Sequence, residues 1–144
     1  TSDSHEVNSV VRNLARNIVR GDMDEALKLL QAFLSTVPYC DNTDYEGHYQ
    51  QMLYVIFSLL GIYTDVEVHT LKGRVDMVLR TRTTLYLVEL KLNQNAEIAM
   101  KQIDLQQYAD RFALCGLPVV KVAINFSAET RTIADWVISR GTYA

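Results

Sequence analysis

The chain has 144 residues, enough for one domain with a sizeable core. With 49% hydrophobic and 22% charged residues it is not disordered, and no apolar run approaches the length of a membrane span. Its net charge of −3 argues against a protein that coats nucleic acid by bulk electrostatics.

Residues 3–20 read as a helix, because Val7, Val10, Val11, Leu14 and Ile18 recur at helical spacing. Gly21 ends it, and Asp22 is placed to cap the next helix. That second helix covers 23–36, with Ala26, Leu29, Leu30, Phe33 and Leu34 on its apolar side, and Pro38 stops it. A loop follows, with Thr43 or Asp44 as the next cap. A third, strongly apolar helix spans 45–60 and ends at Gly61. Its core stripe is Met52, Leu53, Ile56, Leu59 and Leu60, with Tyr49 one turn before; Tyr49 reads as a core-edge aromatic.

The period then changes from helical to extended. Residues 62–70, 74–81 and 84–92 read as strands joined by turns short enough for antiparallel hairpins. The strand over 84–92 is apolar on both faces and belongs in the middle of a sheet. Asn95 caps a long helix over 96–114, with Ala96, Ala99, Met100, Ile103 and Phe112 facing inward, and Gly116 and Pro118 end it. Val119–Phe126 is another central strand. Residues 132–139 carry a mixed signal, a short strand or a helix. The order helix, three strands, helix, strand, behind two extra helices, predicts an α/β domain whose mixed sheet carries helices on both faces.

Cys40 and Cys115 lie in no CxxC pattern. Free thiols in a reducing cytosol are the favoured reading, with a disulfide left open. The histidines show no zinc-ligand spacing. The N-terminus, Thr-Ser-Asp-Ser-His, has neither an initiator Met nor an apolar signal core, so a cytoplasmic piece from the C-terminal part of a longer protein is expected.

Charge is distributed unevenly. Residues 1–46 carry eight acids against Arg12, Arg16, Arg20 and Lys28. Residues 71–91 carry Lys72, Arg74, Arg80, Arg82 and Lys91 against only Asp76 and Glu89. Those two acids lie inside apolar strands, in Val75-Asp-Met-Val-Leu79 and Leu85-Tyr-Leu-Val-Glu-Leu-Lys-Leu92. Charged groups are rarely buried unless paired or bound to metal. Side chains alternate along a strand, so Glu89 and Lys91 share a face, and Asp76 joins them if the hairpin register allows. Two carboxylates at one point repel unless a cation joins them, and hard oxygen ligands without Cys or His suit Mg²⁺ or Mn²⁺. The backbone carbonyl of Leu90 is a further candidate ligand. Lys91 is placed to orient or deprotonate water and to stabilise charge on a phosphate. E-x-K alone is a weak signal; its setting inside an apolar strand carries the argument. On residue types alone a second reading stands level: Asp76 and Glu89 form a partly buried ion network with Lys91 or Arg74.

The run Gly73-Arg-Val-Asp76, followed by Val88-Glu-Leu-Lys91, resembles the PD-(D/E)XK nuclease superfamily, with its restriction-endonuclease-like fold. The resemblance is closer to a subgroup found C-terminal to an AAA-ATPase-like domain. It extends to Tyr45-Glu-Gly-His-Tyr49, to Gln102-Ile103 and Tyr108-Ala109, and to the paired leading helices around Gly21-Asp22. Val75 stands where many relatives have Pro. The resemblance implies an αβββαβ core over 39–144, preceded by linker helices over 1–38. It implies Asp76 and Glu89 as metal ligands, Lys91 as the catalytic lysine, Glu46 near the metal or a second ion, and Gln102 facing the site. On its own residues Glu46 also reads as an acid favoured by the helix dipole. The implied activity is Mg²⁺- or Mn²⁺-dependent phosphodiester hydrolysis in nucleic acid, DNA ahead of RNA, with a homodimer serving two strands. The competing reading is a non-catalytic module of the same fold that binds a partner or regulates the attached ATPase.

Overall fold

The computed structural model describes residues 2–37, 45–71, 73–92, 116–127 and 129–141. Helix α1 (Ser2–Val19) and helix α2 (Met23–Thr36) pack against each other, and helix α3 (Tyr45–Leu59) runs on into a 3₁₀ turn, Leu60–Ile62. Five strands follow: β1 (Asp65–Leu71), β2 (Arg74–Arg80), β3 (Leu85–Leu92), β4 (Val119–Ser127) and β5 (Thr132–Gly141). Their spatial order is their chain order. Every neighbouring pair is antiparallel except β3 and β4, which are parallel. The sheet is therefore mixed, in an α/β fold of the restriction-endonuclease-like kind. β3 is central, and all eight of its residues are buried.

The turn between α1 and α2 shows how local chemistry sets the packing. Gly21 has φ +85°, its N–H donates to Ile18 O, and the Asp22 N–H donates to Asn17 O. These two bonds satisfy helix-end carbonyls in a left-handed cap that only glycine adopts without strain. Asp22 occupies the N-cap position of α2 but makes no side-chain capping bond, contrary to the role expected of it. With its backbone N–H held by Asn17, Asp22 contributes its carbonyl, which accepts from Ala26 N. The buried stripe of α2 is Met23, Ala26, Leu27, Leu30 and Leu34. Leu29 and Phe33, expected inside, are only half-buried flankers, because the helix is rotated toward Met23 and Leu27.

The strand boundaries differ from expectation at two points. Residues 62–64 do not open β1; Tyr63 N and Thr64 N both donate to Leu60 O, which keeps the chain coiled until Asp65. Residues 132–139 form neither a helix nor a short strand but the ten-residue β5. Its partner is β4, with a register shift at Asn125/Phe126, and that bulge blurs the alternation in sequence. The helix expected over 96–114 lies outside the described residues, as do Cys40 and Cys115.

The described helices share one core with one face of the sheet. Leu53, Ile56 and Leu60 of the α3 region join Leu14 and Ile18 of α1 and Leu30 and Leu34 of α2 over Leu79, Tyr86, Leu90 and Ile124. Two bonds tie α2 to β5: Gln31 Nε2 donates to Ile133 O at 2.8 Å, and Thr132 Oγ1 donates to Gln31 O at 2.6 Å. Trp136 packs on this core and donates from Nε1 to Asp24 Oδ1 at 3.0 Å. The opposite face of the sheet carries a smaller cluster, Val78, Leu85 and Leu87 with Val119 beside it. No described helix is long and apolar enough to cross a membrane.

Candidate active site

The pleat and register place the charged residues. Along β2 and β3, Val75, Met77 and Leu79 with Tyr86, Val88 and Leu90 point into the helix-covered core. Arg74, Asp76, Glu89 and Lys91 must then point to the other face, since side chains alternate. Across that face His69, Asp76, Glu89, Ala123 and Val137 stand in one row, and Arg74, Lys91, Asn125 and Asp135 in the next. The sheet thus brings Asp76, Glu89 and Lys91 together as the sequence suggested.

The phase of the β2–β3 ladder sharpens this. Leu92 N donates to Gly73 O at 3.1 Å, so Asp76 and Glu89 fall at a non-hydrogen-bonded position. Directly opposed residues there have Cα atoms about 4.5 Å apart and their side chains closest. Both acids sit beside the apolar cluster of Val78 and Leu87. Burial therefore raises the Asp76 pKa above its ordinary value, against the opposing pull of the Arg74, His69 and Lys91 charges. The Glu89 pKa is also raised, by burial first and by the Asp76 charge second, while Lys91 and Arg74 pull it down.

Arg74 bridges the pair. Its Nε lies 3.3 Å from Asp76 Oδ2, and its Nη1 lies 3.4 Å from Glu89 Oε1. The Nε contact is too poorly aligned to count as a hydrogen bond, and among the described residues Arg74 Nε, Asp76 Oδ1 and Glu89 Oε2 are buried without a hydrogen-bond partner. Of the two ion networks considered from residue types, the Arg74 version is the one that forms. It leaves each carboxylate with one unsatisfied oxygen, and a buried unsatisfied oxygen is costly.

Those orphaned oxygens are hard donors on facing strands, and they fit Mg²⁺ or Mn²⁺. The described residues hold no group of three His, Cys, Asp or Glu side chains arranged for a metal. The Glu46 backbone lies in the first turn of α3, but its side chain is outside the described residues, as are Gln102 and Tyr108. Leu90 pairs with Val75, and its carbonyl keeps a second lone pair beyond any ladder bond. Lys91 is buried on the acid face, with Asn125 beside it on β4.

Four neighbours had not been singled out from sequence. Gln50, one turn beyond Glu46, donates from Nε2 to Arg74 O at 2.9 Å and ties α3 to the start of β2. Ala123, fully buried next to Glu89, presents only a methyl group there. His69 faces Asp76 across β1 and bonds Glu67 Oε1 at 2.9 Å. Asn125 completes the row with Lys91. The short turn after Leu71 is the signal that points to His69, since it sets that hairpin's register. The β4 residues carry no such signal, because their alignment depends on the parallel pairing. Tyr49, read as a core-edge aromatic, is buried against Phe126 with ring centroids 4.6 Å apart, while His48 is exposed beside it.

A family model described as the PD-(D/E)XK nuclease superfamily matches residues 44–136, which take in α3, the sheet through the middle of β5, and the whole acid face. The chain belongs to this superfamily, whose members generally use divalent metals. An uncharacterized protein of the vnfD 5′ region in Azotobacter chroococcum mcd 1 is 29% identical over 128 residues, covering 84% of this chain and 25% of that protein. The chain thus spans about a quarter of that relative's length. No solved structure matches the chain at a significant level.

Proposed function

We propose that this domain is a metal-dependent nuclease that hydrolyses phosphodiester bonds in nucleic acid, DNA in preference to RNA. The observation that carries the reading is the opposed Asp76–Glu89 pair with one orphaned oxygen on each acid and Lys91 on the same face. Asp76 and Glu89, with the Leu90 carbonyl and Glu46, would hold Mg²⁺ or Mn²⁺. When bound, the ion supplies Lewis acidity and a water of lowered pKa. Lys91 Nζ orients the attacking water and neutralises charge growing on the phosphate oxygens. The apolar cluster beside the acids excludes bulk water and strengthens each of these interactions. The superfamily resemblance assigns Gln102 the polar position that would face the phosphate. Residues 1–38 form a linker to an N-terminal AAA-ATPase-like domain, and a cytoplasmic homodimer places one site on each strand of a duplex.

The Arg74 bridge favours a second reading, because a guanidinium already offsets the two carboxylates. In that reading the domain is catalytically inactive and serves partner binding or regulation of the attached ATPase-like domain. The deciding experiment is cleavage of labelled single-stranded, double-stranded and branched DNA, and of RNA, with Mg²⁺ or Mn²⁺. Asp76→Ala and Lys91→Ala are run alongside, in the domain and in the full-length protein. Metal-dependent cutting lost in both variants is the expected result. Absence of cutting by the full-length protein would refute the nuclease.

A further inference from the structure

We infer that Arg74 is a displaceable counter-ion. Its guanidinium holds Asp76 and Glu89 together in the metal-free protein, and a divalent cation binds by expelling it. This rests on the metal reading of the acid pair. The guanidinium spends its charge on Asp76 Oδ2 and Glu89 Oε1, at 3.3 and 3.4 Å, so a cation taking both carboxylates meets a cation already between them. The fit of that resident charge is poor: Arg74 Nε and one oxygen of each acid stay buried and unbonded. A smaller ion with a full coordination shell satisfies those oxygens better than a planar fork can.

The surroundings provide for the exchange. The Arg74 side chain is 35% exposed while those of Asp76 and Glu89 are 15% and 7% exposed, so the guanidinium has a way out and the acids do not. Its backbone is fixed, because Gln50 holds the Arg74 carbonyl from α3. The side chain can therefore swing outward without moving β2. Metal affinity is then a difference between two cations, and Arg74 sets it by competition.

The test is Mn²⁺ binding by the protein without nucleic acid, read from the electron paramagnetic resonance signal of free Mn²⁺. Arg74→Gln is compared with wild type, Arg74→Lys and Asp76→Asn. Removing the competitor is expected to tighten Mn²⁺ binding roughly tenfold, within the usual span of site couplings. Arg74→Lys, which keeps a cation, is expected to stay near wild type, and Asp76→Asn to lose binding. If Arg74→Gln unfolds without metal, the rise of its melting temperature with Mn²⁺ is read instead, and it should be steeper than in wild type. Unchanged or weaker affinity in Arg74→Gln, with binding still lost in Asp76→Asn, would overturn the counter-ion role alone. Equal binding in wild type and Asp76→Asn, or none in any of the four proteins, would overturn the metal reading and this inference with it.

Discussion

Glu89→Gln should make the metal-free protein more stable at neutral pH while abolishing cleavage. The side chain is 7% exposed, faces Asp76 directly, and has Arg74 Nη1 at 3.4 Å. At an effective dielectric near 20, two like charges about 5 Å apart repel by roughly 3 kcal/mol. The attraction to Lys91 and Arg74 is divided between the two acids and screened at the partly exposed guanidinium, so about 2 kcal/mol of it remains. Burial of the charge adds to the unfavourable side. Replacement by a neutral side chain of the same shape should therefore gain about 1–2 kcal/mol. For a chain of this length that is a melting-temperature rise of roughly 3–6 °C. The pH dependence has a definite sign. The folded pKa is raised above 4.5, so ionised Glu89 destabilises the fold above its folded pKa. That penalty shrinks as pH falls through the window and vanishes below 4.5. The gain in Glu89→Gln should shrink with it. The assay is thermal unfolding in a chelator at pH 7 and across the acid range. A variant less stable than wild type at pH 7 would refute the reasoning, because the Lys91 and Arg74 attractions would then outweigh burial and repulsion together.

Lys91→Ala should lower cleavage by on the order of 10²-fold or more while leaving Mn²⁺ binding intact; a parallel loss of metal would make the lysine structural rather than chemical. Saturating Mn²⁺ should raise the wild-type melting temperature at pH 7 but not that of Asp76→Asn, checked by unfolding scans with and without chelator. Gly73→Ala should cost about 1 kcal/mol in chemical denaturation, from the left-handed backbone alone, since nothing lies within 4 Å of the added Cβ. Leu53→Ala, at a fully buried position of α3, should cost about 2–5 kcal/mol.

The acid face was legible in sequence because its signal is local. Alternation along 84–92 assigned Glu89 and Lys91 to one face, and the short Thr81–Thr84 connection between β2 and β3 permitted Asp76 to meet them. Thr81 Oγ1 closes that connection, accepting from Thr83 N at 3.3 Å and Thr84 N at 3.0 Å. Ala123 and Asn125 were not legible, because a parallel partner is aligned by a long connection rather than by a turn. The rotation of α2 was hidden for a related reason. Met23, Leu27, Leu29 and Phe33 are all apolar, so composition does not say which side the sheet takes. The fate of Arg74 was undecided because side-chain reach, not strand order, chooses between it and Lys91.

The alternation along β3 also bears on how the chain avoids folding wrongly. Core residues and charged residues share one strand at a spacing of two, so slipping that strand by a single position turns every side chain over. Glu89 and Lys91 would then enter the hydrocarbon interior beneath the helices, and Tyr86 and Leu90 would replace them outside. Few mispairings are as heavily penalised as one that buries unpaired ions. The groups assigned here to cutting phosphodiester bonds therefore also act during folding, as a check that admits one alignment of the central strand and rejects its nearest competitors.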